Sequence, residues 1–111
     1  MKAVFEVTSI TASWKPPFDK KKEINEYEVG SGQSFEEVRM NGVDGNVFSL
    51  KEIKNGKFLI EYDGHFMRKD QPNARTKELW VEEGNKYEFS FLWGDNGVTK
   101  KLSLKKVVHD D

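Results

Sequence analysis

"NKYEFSFLW", residues 85–93, sets Tyr87, Phe89, Phe91 and Trp93 on alternate positions. Successive side chains of an extended chain point to opposite faces, so all four aromatics fall on one side of one strand. Such a stripe is either a binding platform or the inside of the protein, and its partner strand decides. "VTKKLSL", 98–104, follows after "GDNG". A four-residue loop would set Trp93 opposite Val98, Phe91 opposite Lys100 and Phe89 opposite Leu102. A two-residue turn at Asn96-Gly97 would set Phe91 opposite Leu102 and Phe89 opposite Leu104. In both registers the aromatics share a face with Val98, Leu102 and Leu104. Glu88, Ser90, Lys101, Ser103 and Lys105 share the other, which is the pattern of a half-buried antiparallel sheet. Burying four such side chains contributes on the order of 6–12 kcal/mol, comparable to the roughly 5–15 kcal/mol net stability of a domain. The stripe is therefore assigned to the core, with Trp93 at its loop end the least enclosed.

The same period-two code runs outward in both directions. "KAVFEVTSITASW", 2–14, puts Phe5 and Val7 on one face and Ile10, Ala12 and Trp14 on the other, which predicts a bulge or a strand that switches sheets. "EINEYEV", 23–29, is a second strand. "SFEEVRMNG", 34–42, carries a capping box in Ser34 and Glu37 and a helix stop in Gly42. Its Val38 and Met40 also alternate, and the all-β neighbours favour a strand. "VFSLKEI" and "KFLIEYD" flank Asn55-Gly56, the pair suited to a type I′ hairpin turn. That turn pairs Ile53 with Phe58 and leaves Phe48 and Leu50 on the wrong parity, so an irregularity is expected near Lys51–Glu52. "KELWVEE" joins the aromatic strand through Gly84-Asn85, and "TKKLSLKKVV" is the last strand.

These segments predict an all-β fold: one domain over 1–111, with 108–111 a frayed tail, built as an antiparallel β-sandwich or a barrel-like variant of about seven to eight strands. "WVEEGNKYEFSFLWGDNGVTKKLSL", 80–104, resembles the late-strand pattern of immunoglobulin-like sandwiches. The paired Cys and the Trp of true immunoglobulin domains are absent.

Composition narrows the function classes. A chain of 111 residues can bury a core without staples. The absence of cysteine removes disulfides and thiolate zinc sites. Charged residues make up 33% of the chain, yet the net charge is −1. That balance gives no strong field for nucleic acid or an anionic membrane, and neither is expected as a partner. Lys20–Lys22 accordingly reads as a solvated loop. No apolar run approaches the roughly 18 residues of a membrane helix. The N-terminus lacks the continuous apolar stretch of a signal peptide. The location is open: cytoplasmic if the chain is full length, extracellular if a leader was removed.

If the strands alternate in direction, the connections at 15–22, 41–46, 63–76 and 94–97 share one end, bringing Phe18, Phe66 and Asn96 together there. The long connection 64–76 holds His65, Phe66, Met67, Arg68 and Lys69. An apolar pair beside cations suits a protein or peptide partner, and long loops of compact domains often carry function. The alternative is that Phe66 and Met67 fold back and plug the sandwich end. Pro16-Pro17 favours an extended conformation that would hold Phe18 outward. Trp80 points outward between Glu78 and Glu82, and Trp80 and Trp14 are the two candidates for stacking a sugar ring.

Catalytic elements are scarce. The chain has two histidines, His65 and His109, and no Gly-x-Ser-x-Gly or phosphate-loop motif. Asp63 and His65 offer two metal ligands, but a closed site needs more, and "WGDNG" lacks the spacing of a calcium loop. No enzyme activity, cofactor or metal is expected. The leading expectation is a non-enzymatic binding module that takes another protein on the loops at one end, through Phe18, His65, Phe66, Met67 and Arg68, as an inhibitor, immunity or adaptor protein would. The chain itself is expected to be a monomer or a weak homo-oligomer. The alternatives are a carbohydrate-binding module using Trp14 or Trp80, and a structural domain of a larger surface or phage assembly.

Overall fold

The computed structural model describes residues 2–40, 43–71, 73, 75–94 and 96–108, and the side chains of all these except 36–40, 43–46 and 93. Among the described residues nine strands follow one another and no helix forms: β1 (Lys2–Ser13), β2 (Lys20–Val29), β3 (Ser34–Met40), β4 (Val43–Lys54), β5 (Lys57–Tyr62), β6 (Met67–Arg68), β7 (Glu78–Val81), β8 (Lys86–Trp93) and β9 (Asn96–Val108). They form two antiparallel sheets packed together, β2-β1-β9-β8-β6 and β3-β4-β5-β7, the layers of a β-sandwich. The capping-box reading of 34–42 gives way to strand over Ser34–Met40, and residues 41–42 lie outside the described residues.

Local turn chemistry sets the β4–β5 hairpin. Asn55 (φ 52°) and Gly56 (φ 75°) supply the two left-handed residues of a two-residue turn, and Ile53 pairs with Phe58 as the sequence requires. The expected irregularity lies between Leu50 and Glu52. It returns Phe48 and Leu50 to the face that Phe58, Ile60 and Tyr62 bury.

The aromatic stripe is indoors. Phe89 is fully buried, Phe91 is buried and Tyr87 is half-buried; the side chain of Trp93 lies outside the described residues. Phe89 lies 5.2 Å from Phe48 and 4.9 Å from Tyr62 across the sandwich, and Phe5 lies 5.0 Å from Phe35. These tilted and edge-to-face contacts stitch the sheets together.

The register differs from both expected forms. Trp93 pairs with Asn96, Phe91 with Val98, Phe89 with Lys100 and Tyr87 with Leu102. The connection is therefore shorter than the four-residue form and earlier than the Asn96-Gly97 turn, and Gly94 (φ 52°) takes the left-handed conformation that glycine allows. Lys100, alternating with Val98 and Leu102, lies on the inner face as parity requires, fully buried, with its Nζ donating to Ser9 Oγ at 2.7 Å.

β1 needs no switch of sheet. Its one irregularity in the pairing with β9 falls at Val4/Phe5, and from Phe5 to Ser13 it pairs continuously with β9. Phe5, Val7 and Ser9 face inward, whereas Ile10, Ala12 and Trp14 belong to the outer surface of the five-stranded sheet. The long connection after β5 crosses between the sheets. It lends β6 to the edge of the first sheet beside β8, then returns as β7 beside β5. That two-residue strand is why nine strands form where about seven to eight are expected.

Candidate interaction surface

Register places an apolar surface on the outer face of the five-stranded sheet. One row across β2, β1, β9 and β8 reads Lys20, Ala12, Gly97, Leu92. The next row reads Lys22, Ile10, Thr99, Ser90 and, on β6, Met67. Trp14 follows Ala12 by two residues and closes over the first row. A Cβ built on Gly97 would meet Trp14 Cη2 at 2.8 Å and Leu92 Cδ2 at 3.1 Å. Glycine is thus the residue that lets the indole and the leucine lie directly on the backbone of β9. Trp14, Phe18 and Leu92 remain 54%, 63% and 65% exposed, and Met67 and Ile24 are exposed beside them.

The 14–19 connection is folded rather than extended. Ser13 N–H donates to the Asp19 carbonyl at 2.9 Å, and Phe18 N–H donates to the Lys15 carbonyl at 2.7 Å. These two bonds turn the chain back on itself around Pro16-Pro17, whose peptide bond is cis, and the hydrogen-bonded turn replaces the expected extended Pro-Pro conformation. Phe18 (φ 60°) nonetheless faces solvent at the turn's end.

The charges around this surface are unequally matched. On the β6 and β8 side, Glu88 lies 3.3 Å from Lys69 and 3.9 Å from Lys101. On the far half of the same face, Lys105 bridges Glu26 (3.3 Å) and Glu6 (3.4 Å). Hydrogen bonding to Glu26, then its charge, then Glu6, raises the Lys105 pKa. Lys21 belongs to the opposite face of β2 and contacts Glu23 at 2.8 Å. That hydrogen bond and its charge raise the Lys21 pKa and lower that of Glu23. Lys20 and Lys22, the two lysines flanking the apolar rows, pair with no carboxylate among the described residues.

The residues that the sequence proposed for a partner are divided by the structure. Phe18 and Met67 are exposed. His65 is exposed and tied down: its backbone N–H meets Asp63 Oδ1 at 2.9 Å, its Nδ1 lies 2.8 Å from the same oxygen, and its ring stacks on Phe91 at 5.6 Å. Phe66 is fully buried with its ring edge-on to Phe91 at 5.4 Å, so it plugs the sandwich end and offers nothing to a partner. Arg68 is buried on the inner face opposite Phe89, where Asp70 takes its Nε at 3.1 Å and Nη2 at 2.7 Å. Phe66 and Arg68 face inward because β6 pairs with β8 and puts only its odd residue, Met67, outside.

Of the connections expected to share an end, Ser13 pairs with Asn96 beside the Phe18 turn and Phe66 packs on Phe91 two pairs along from Asn96, whereas 43–46 belong to β4, 41–42 lie outside the described residues and the long connection crosses between the sheets. Trp80 is exposed on the outer face of β7, opposite Leu59, in a shallow depression with Lys54, Asn55 and Lys57. Among the described residues no group of three or more His, Asp or Glu side chains is arranged to hold a metal. His109 lies outside the described residues.

Sequence reasoning passed over Leu92, Ile24 and the outward role of Ile10. The signal for Leu92 was present, since it occupies the even parity of the very strand whose odd residues are core.

The fold is an antiparallel β-sandwich with one apolar outer surface beside its loops. Compared with family models, curated proteins and solved structures, the chain matches none.

Proposed function

We propose that the chain is a non-enzymatic protein-binding module whose partner docks on the surface centred on Trp14. The observation that carries this reading is the exposure of Trp14, Phe18 and Leu92 together at one end of the domain. Scattered single apolar side chains are ordinary on a surface, but a contiguous group containing a Trp has the character of an interaction hot spot. The position agrees too, since rigid sandwiches hold binding loops at their ends.

The test uses the full chain as bait against a lysate of its source. A captured protein is purified and titrated against wild type, Trp14→Ser, Leu92→Ser and Trp80→Ser. Affinity is expected to fall at least about 10-fold for the first two and to hold for the third. Equal binding by all four proteins removes the reading.

Trp80 supports a second reading, carbohydrate binding, because its indole is exposed beside the polar groups of Lys54, Asn55 and Lys57. Glycan titration monitored by Trp emission decides it: a change seen in wild type and absent in Trp80→Phe supports it, and no change for any glycan removes it. The assembly reading has less behind it. The long edge strand β2 carries Lys20, Lys21, Lys22, Glu26 and Glu28, the kind of charge that discourages edge-to-edge pairing.

A further inference from the structure

We infer that the segment bound by this surface is acidic, with one or two large apolar side chains set beside its carboxylates. The inference rests on the protein-binding reading above and adds the chemistry of the partner.

The apolar rows have a cation at one end only. Lys20 lies directly opposite Ala12, and Lys22 directly opposite Ile10, on the edge strand of the sheet. Antiparallel neighbours of this kind have Cα atoms about 4.5–5.5 Å apart. Two lysine side chains therefore stand at the margin of the Ile10–Ala12–Trp14 column, within reach of anything resting on it. At the opposite margin the cations already have a carboxylate, because Lys69 and Lys101 share Glu88 and leave one excess positive charge between them. A docked segment thus meets two lysines without a carboxylate along β2, against one excess charge spread over an ion-paired cluster along β8. Lys20 and Lys22 sit two residues apart, about 7 Å along the strand. Carboxylates at alternate positions of an extended segment have that same spacing. A Leu, Phe or Trp between them would rest on Trp14 and Leu92.

Other occupants fit less well. A second copy related by a two-fold axis would bring Lys20 and Lys22 of both copies to one interface, adding like charge instead of cancelling it. A nucleic-acid strand is held chiefly by many phosphate contacts. Here the flanking cations are few, and the centre of the surface is apolar.

The experiment is a selection from a displayed random-peptide library against the immobilised full chain, followed by titration of a synthetic peptide from the winning set. The expected peptides carry Asp or Glu beside Leu, Phe or Trp. Their binding should weaken about 10-fold in the Lys20→Glu/Lys22→Glu double variant, weaken at high salt, and be lost in Leu92→Ser. All these substitutions are at exposed positions, and circular dichroism confirms that the variants fold.

Peptides that are apolar without acidic residues, and that bind the double lysine variant as they bind wild type, overturn the acidic partner while leaving a protein-binding surface in place. Peptides indifferent to both Trp14→Ser and Leu92→Ser overturn the inference and the protein-binding surface together. A selection that yields no peptide, with concentration-dependent self-association abolished by Leu92→Ser, assigns the surface to a second copy and overturns the inference. Binding of a single-stranded oligonucleotide with the same lysine dependence overturns it as well.

Discussion

Trp14 lies across the backbone of Gly97, so closely that a Cβ at Gly97 would stand 2.8 Å from its Cη2. The atom in the way is the far end of a surface side chain on a loop, and it can move. Gly97→Ala is therefore expected to cost less than about 1 kcal/mol of stability. It should nonetheless lift the indole from the sheet. The Trp14 indole N–H resonance in a nitrogen–proton correlation spectrum is expected to shift, with the β8–β9 amide pattern kept. An unmoved indole resonance would mean that Trp14 does not rest on Gly97 in solution.

Where local chemistry alone sets a feature, the sequence was legible. Asn55-Gly56 demanded its turn, and the parity conflict between Leu50 and Ile53 demanded its bulge. "GDNG" was less legible because it contains two glycines and an asparagine, each able to take a left-handed conformation. Gly94 takes it, and that choice moves every pairing of β8. Lys100 alternates with Val98 and Leu102, so parity alone set it indoors, but what receives its amine there was not legible, since its buried partner Ser9 is 91 residues away. The surface was the hardest part to read. Leu92, Ile10 and Met67 become neighbours only through the order β2-β1-β9-β8-β6, and that order depends on a connection crossing between sheets. Phe66 and Arg68 looked like site residues for the same reason: nothing local says that Met67–Arg68 pairs with β8.

Lys100 and Ser9 join β9 to β1 inside the sandwich at 2.7 Å. Ser9→Ala removes one acceptor from a fully buried ammonium, which is expected to cost about 1–3 kcal/mol. Replacing both partners by apolar groups removes the charge along with its need. The Ser9→Ala/Lys100→Met double variant is therefore expected to be more stable than Ser9→Ala alone. Urea unfolding of wild type, both single variants and the double variant gives the coupling directly. Strictly additive effects would show that the two side chains do not interact in solution.

Phe66 and Met67 are adjacent in sequence and opposite in consequence. Phe66 is fully buried against Phe91, so Phe66→Ala is expected to cost about 3–5 kcal/mol. Met67 faces solvent, and Met67→Ala should change stability by less than about 0.5 kcal/mol. Denaturant midpoints at constant m-value test both. Similar losses for the two variants would place Met67 indoors and remove it from the interaction surface.

Tyr62 carries a buried hydroxyl with no hydrogen-bond partner among the described residues, while its ring packs 4.9 Å from Phe89. Burial raises the Tyr62 pKa; the nearby Arg68 charge acts in the opposite sense and Asp70 in the same sense, both more weakly. A pKa raised in the folded state means that, above the ordinary phenol value of about 10, the folded chain holds a proton the unfolded chain has released. Stability is then full below that pH and falls as pH rises through the folded-state value. Tyr62→Phe removes both the unmatched hydroxyl and the titration while keeping the ring. Near neutral pH it is expected to raise stability by about 1 kcal/mol, the penalty of an unpaired buried polar group. Above pH about 10 its advantage over wild type should widen. Thermal unfolding of both proteins across neutral and alkaline pH measures the two effects. A Tyr62→Phe chain less stable than wild type at neutral pH would show that the hydroxyl has a partner in solution.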